Sequence, residues 1–415
     1  MTQSTCQSNF GTVNLTGAMT MYDGSTIMNA AGARWNFAGD SSILLAAGQA
    51  AGPDINGMGV IAKTYGTGVS HIGVNLATEG VVSVQTGTLS FEGASSAFSS
   101  TINGAGAFQI SAGAAVIEPG ARLSVGHWTL AGGTTTLREN LGYAGAFTGK
   151  AGASLDLGGH VLQLSQSPQF AGLAVQGAGV LQAMGAVAIA GLKFGGTATL
   201  SLFGHALQSG GDVTLGDSSP ADNATIAIRA GGSWRIADAS SIQRGADPAS
   251  TLTLSGSALF AKTGAGVSHV SPSIYNAGLN TASAYGGIEV TAGALDLQGA
   301  VSGIGSANIV GAATLEFDSF VSSGQTVFFT GTGGVLALAD LAEFHAKISG
   351  FDTVGSDDAL SIANGWSFAG ATETTSAATL SFTHGALHQS LTLLGDYTGG
   401  AFSAATIGGQ LKITF

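Results

Sequence analysis

The two residues best placed to do chemistry are Glu316 and Asp318. Side chains two apart along a strand share a face, so Glu316-Phe317-Asp318 puts both carboxylates on one side. Polysaccharide hydrolases use a pair of carboxyl groups flanking the bond they cut. Lyases of the same substrates use a base with a nearby cation or arginine. The other acids that could join such a site, Asp156, Asp212, Asp217, Glu289 and Asp296, are scattered along the chain. Solvated strand-face charge is therefore the plainer reading of Glu316 and Asp318. Asp357-Asp358 follows Gly355 and reads as a turn.

Eight histidines offer little more. His71 and His269 occupy matched places in a duplicated block, which marks them as part of a repeated shape. His384 and His388 lie in an alternating, strand-like stretch and would not share a helical face. Lys63 and Lys262 are also a matched pair and read as corner residues whose stems snorkel toward solvent. The glycine-rich segments contain no Gly-Lys-Ser/Thr step opening a helix, so a phosphate cradle is not expected. Regular Gly-Gly-x-Gly-x-Asp nonapeptides are absent. Trp35 and Trp234, another matched pair, read as core or corner residues, as opposed to a sugar groove shared with Trp128 and Trp366. Thr134-Thr135-Thr136 does not recur as a regular ladder. The expectation is that no residue is catalytic, none binds a cofactor and none ligates a metal.

The elements that would position these residues are short. Alternating runs recur throughout, among them Ser154-Leu155-Asp156-Leu157, Thr199-Leu200-Ser201-Leu202, Thr251-Leu252-Thr253-Leu254 and Ala294-Leu295-Asp296-Leu297. Period-two alternation means a strand with one buried face. Glycines punctuate these runs closely. Leu338 to Lys347 alone carries helix-like spacing and reads as one short helix or a solenoid turn. The composition agrees with coils: 67 glycines, 45% hydrophobic residues and only 9% charged residues in 415. Positive mean hydropathy argues against disorder. A net charge of −12 argues against nucleic acid and against an anionic membrane surface as partners. One cysteine, Cys6, allows no internal disulfide. The first ten residues lack the pattern of a secretory signal, and no run is long and apolar enough for a transmembrane helix. Export would then use a C-terminal signal, or the sequence is a piece of a longer protein.

A duplication organises the chain. Thr26-Ile27, Ala31-Gly32, Trp35, Ser41-Ser42-Ile43 and Ala62-Lys63-Thr64 recur 199 positions later as Thr225-Ile226, Ala230-Gly231, Trp234, Ser240-Ser241-Ile242 and Ala261-Lys262-Thr263. Gly68-Val69-Ser70-His71 then faces Gly266-Val267-Ser268-His269. Further on, Val84 to Phe91 faces Val290 to Leu297. A block of roughly 70 residues is about three coils of a solenoid.

Within these blocks, Gly59-Val60-Ile61-Ala62-Lys63-Thr64, Gly80-Val81-Val82-Ser83-Val84 and Gly87-Thr88-Leu89-Ser90-Phe91 resemble the autotransporter-associated β-strand repeat. Ala261 to Gly266 is the closer copy of its Lys-Thr-Gly step; the first copy departs by inserting Tyr65. Ala112 to Gly132, with Ile117-Glu118-Pro119-Gly120 and Leu123-Ser124-Val125-Gly126, is similar to passenger-type β-helix sequence. The resemblance covers about residues 10–340. It implies a right-handed parallel β-helix in a secreted or surface-displayed bacterial protein, and no activity.

The expected architecture is thus an all-β, right-handed parallel β-solenoid. It comprises a polar extension over residues 1–9, the solenoid over 10–335 with duplicated blocks at about 26–91 and 225–297, and a region over 336–415 that continues or caps the coil. The ending Gln410-Leu411-Lys412-Ile413-Thr414-Phe415 reads as a last strand closing the solenoid. The expected role is structural or adhesive, extracellular or at the cell surface, non-enzymatic, without cofactor, with self-association or cell-surface glycans as partners. A polysaccharide-degrading enzyme on the same scaffold and a polysaccharide-binding fibre are the alternatives.

Overall fold

The computed structural model describes residues 6–49, 52–216, 223–278, 286–351 and 357–415. Strands make up 59% of it and stack as a parallel β-solenoid of about 16 turns; there is no α-helix among the described residues. The chain divides into two units, Met1–Leu200 and Ser201–Phe415. Each carries one copy of the duplicated block.

In the first unit one face climbs by in-register parallel pairing from Cys6–Asn9 through Thr26–Asn29, Asp54–Gly57 and Asn75–Thr78, and on to Leu192–Phe194. Among the described residues pairing is already present at Cys6, inside the stretch expected to be an extension. A second face stacks Thr12–Leu15, Arg34–Ala38 and Val60–Tyr65. Alternation decides what points inward: Trp35 and Phe37 are buried while Arg34, Asn36 and Ala38 are partly exposed. Most coils here take about 20 residues, as Asn9 to Asn29 does; the coil from Thr26 to Asp54 is longer.

The interior is rich in rings. Phe91, Phe98 and Phe108 stand 5.0–5.2 Å apart, and Trp128 meets Tyr143 and Phe147 edge-on. Each buried ring contributes about 1.5–3 kcal/mol. Corners need glycine where the chain turns left-handed against the coil below. Gly87 has φ +60°, and a Cβ there would sit 2.5 Å from the Gly68 carbonyl oxygen; its duplicate Gly293 has φ +67° and the same conflict with Gly266.

In the second unit the rungs run through Ser233–Ile236, Leu259–Lys262, Gly287–Val290 and Ser306–Val310 on one face. Val267–Val270, Ala294–Leu297, Thr314–Phe317, Val335–Leu338 and Ala359–Ile362 form another. The helix-like stretch is a solenoid turn tightened into one 3₁₀ turn, Leu341–Glu343. Asp340 caps it, and Leu341 and Phe344 point into the core. Beyond residue 335 the parallel rungs continue, since Lys347–Ser349 pairs with Leu387–Leu394. The chain then turns antiparallel: Ser367–Glu373, Ala377–His384 and Leu387–Leu394 form a meander, and Gln410–Thr414 adds antiparallel to Ala359–Ile362. The terminal stretch first continues the coil and then adds antiparallel strands to its sheets.

Candidate functional site

The register of the second unit stacks His269 on Asp296 and Asp296 on Glu316. Asp318, two residues past Glu316, joins them, and one carboxylate oxygen from each of Asp296, Glu316 and Asp318 lies within 4.8 Å of the others. Asp296 is the buried member, only 6% exposed. Its Oδ2 lies 2.6 Å from Nδ1 of His269 and accepts a 2.9 Å bond from Nε2 of Gln298, which Ser271 in turn holds at 2.8 Å. With Asp318 ionised, the Asp296 Oδ1 is buried with no hydrogen-bond partner; only a protonated Asp318 can donate to Asp296.

Burial raises the pKa of Glu316 first, and the charges of Asp296 and Asp318 raise it further; His269 opposes this. Asp318 is raised by burial, by the charge of Asp296 and by a hydrogen bond to Asp296 that requires a proton. Three carboxylates this close repel one another and are reconciled either by a shared proton or by a cation. To the strand-face charge expected of Glu316 and Asp318, the coil beneath adds a buried third acid and the coil below that a histidine that orients it.

The first copy fills the same positions with neutral groups. Ser90 stands where Asp296 does, above His71 and below Gln109. His71 finds its carboxylate one step along, at Glu92, 2.6 Å away, and Ser90 donates to that acid at 3.0 Å. Ser111 shares a 2.8 Å hydrogen bond with Ser90 and accepts from Gln109 at 2.7 Å. That network satisfies itself. The duplicated histidine keeps an acidic partner in both copies, but only the second copy accumulates charge around it.

The remaining candidates take structural places. Lys63 and Lys262 do not snorkel; both are fully buried. The Lys63 ammonium donates to the Gly39 carbonyl, Asp40 and Ser70 at 2.9, 2.9 and 3.0 Å. Lys262 donates to the carbonyls of Asp238, Gly264 and Ala265 at 2.6, 2.6 and 3.1 Å. These acceptors replace water around the ammonium, so the nitrogen can stay inside; burial lowers the pKa of Lys262, and Asp238 partly offsets it. Trp35, Trp128 and Trp234 are core residues. Asp156 and Asp212 accept backbone N–H groups, Glu289 stacks between Ala261 and Asn308, and Asp358 accepts from the Gly334 N–H at 2.8 Å. Asp357 adopts φ 54°, as a turn residue would. His384 and His388 lie on paired antiparallel strands. Asp217 and Gly355 lie outside the described residues.

Sequence reasoning placed Glu316 and Asp318 together but left out Asp296 and His269. Counting back one coil of about 20 residues from Glu316 reaches Asp296, and that signal was available. Elsewhere, in the first unit, Met28, Met58, Ala77, Ala97 and Glu118 are among the residues lining an open groove of about 770 Å³. Arg138 pairs with Glu118 at 3.2 Å. No family model, curated protein or solved structure matches this chain.

Proposed function

We propose that the protein is a structural or adhesive β-solenoid of the passenger type, secreted or displayed at a bacterial surface, non-enzymatic, and working by self-association or by binding cell-surface glycans. The observation that carries this is the make-up of its outward columns. In the first unit Gln109, Thr129, Thr148 and Gln169, all partly or fully exposed, stack one above another. On another face Ser95, Ala114 and Thr134 do the same. Such columns present small hydroxyl and amide groups, with alanine interspersed, at the rung spacing of about 4.8 Å, on a surface with few long charged side chains. A flat polar face of this kind suits repeated hydrogen bonding to sugar hydroxyls or to a second copy. The resemblance to autotransporter-associated repeats in the Lys-Thr-Gly and Gly-Thr-Leu steps supports the same setting.

Electron microscopy of the purified protein over a range of concentrations, with a glycan-binding screen beside it, tests this reading. Filaments, lateral arrays or saturable glycan binding are expected. Dispersed particles that bind no glycan would overturn it. So would release of product from a polysaccharide that is abolished by Glu316→Gln, which would make the chain an enzyme.

A further inference from the structure

Beyond any self-association, we propose that Asp296, Glu316 and Asp318 form a binding site for a calcium ion. Three observations converge on it. The first is geometric: oxygens within 4.8 Å of one another can all touch one cation at the 2.3–2.6 Å distances calcium prefers, since ligands on opposite sides of such an ion stand roughly 5 Å apart. The second is the orphaned oxygen. The Asp296 side chain is 9% exposed, its Oδ2 is held by His269 and Gln298, and its Oδ1 is buried without a donor. A buried carboxylate oxygen left unmatched costs about 1–3 kcal/mol or more, and a cation removes that cost.

The third is the internal control. At the equivalent places of the first copy, Ser90, Gln109 and Ser111 satisfy one another by hydrogen bonds. The coil shape therefore does not require acids here. The second copy has acids at all three, and it keeps His269 engaged at Nδ1 so that Asp296 is fixed in one orientation. Held this way, His269 and Gln298 act as positioning residues for Asp296. Oxygen-only donors, with water completing the shell toward the more exposed Asp318 edge, favour calcium over softer metals. Calcium would pin two successive rungs, those of Asp296 and Glu316, through one ion, with His269 of the preceding rung tied in through Asp296.

The test uses the full chain stripped with chelator and titrated with calcium chloride by calorimetry, with thermal unfolding followed in parallel. One saturable site is expected, with affinity on the order of 10⁻⁴ M, as for extracellular calcium modules, and with a rise in Tm. Asp318→Asn and Glu316→Gln should each weaken binding at least tenfold. Both should leave the chelated protein as stable as wild type or more so, because each removes a like charge. That sign separates loss of a ligand from a folding failure. Glu92→Gln, in the first copy, should leave calcium binding unchanged. Absence of both heat and Tm shift at about 10 mM calcium would overturn the proposal and leave a shared proton as what holds the acids together. Binding undiminished in Asp318→Asn and Glu316→Gln would overturn it equally.

Discussion

At the residue scale, the two copies act as matched variants of each other. Trp234 donates its indole N–H to Oε1 of Gln208 at 2.9 Å, and Gln208 also donates to the carbonyls of Gly211 and Ser241. In the first copy the register puts Leu15 at that place, and the Trp35 indole nitrogen is buried without a partner. Gln208→Leu should therefore destabilise the protein by about 1–3 kcal/mol, read from denaturant unfolding followed by tryptophan fluorescence. The acids of the second copy give a pH signature. A carboxyl whose pKa is higher folded than unfolded stabilises the fold fully only below its unfolded value, and that contribution fades as pH rises through the folded value. For Glu316 and Asp318 the loss begins near their ordinary values of 4.5 and 3.8 and extends upward. The groups facing them are Asp296 and His269. In the presence of chelator, wild type should lose stability as pH rises above about 4, on the order of 1 kcal/mol or less given partial exposure. Asp318→Asn should flatten that slope; an unchanged slope would show that these acids do not feel one another.

At the scale of elements, the strands are too short to be stable alone and depend on the coils above and below them. What fixes their ends is glycine in left-handed corners. Gly87→Ala should cost about 1–3 kcal/mol, because it combines a positive φ with a Cβ in contact with the coil beneath. Gly142 lies in the strand Leu141–Tyr143, has no positive φ and has open space where a Cβ would go. Gly142→Ala should be neutral or slightly stabilising. Calorimetric Tm values of the two variants check the contrast. The strand pattern, the corner glycines and the matched blocks were all legible in the sequence. The burial of Lys63 and Lys262 was not, because it depends on carbonyls such as those of Gly39 and Asp238 from the neighbouring coil, and one strand's alternation carries no information about those.

At the scale of the whole molecule, stability in a solenoid is a sum of coil terms and nearest-neighbour terms. Equilibrium unfolding should then deviate from a single two-state transition. Trp→Phe variants that leave either Trp128 or Trp234 as the reporter should give midpoints that do not coincide; superimposable curves would argue for one cooperative block. A net charge of −12 carried by few charged side chains gives weak but long-range repulsion between copies. Added salt screens it, so self-association should strengthen with ionic strength, which light scattering can follow.

The sequence by itself determined that this chain is all-β and coiled, because period-two alternation says which side chains go inside and evenly spaced glycines say how soon each strand must turn. It also determined that one block was used twice. Only the tertiary structure decided which residues meet. Coil length varies from about 20 residues to the longer turn between Thr26 and Asp54, and a slip of one residue moves every side chain to the opposite face. The meeting of His269, Asp296, Glu316 and Asp318 is a property of register, and register is set by how much chain each turn consumes.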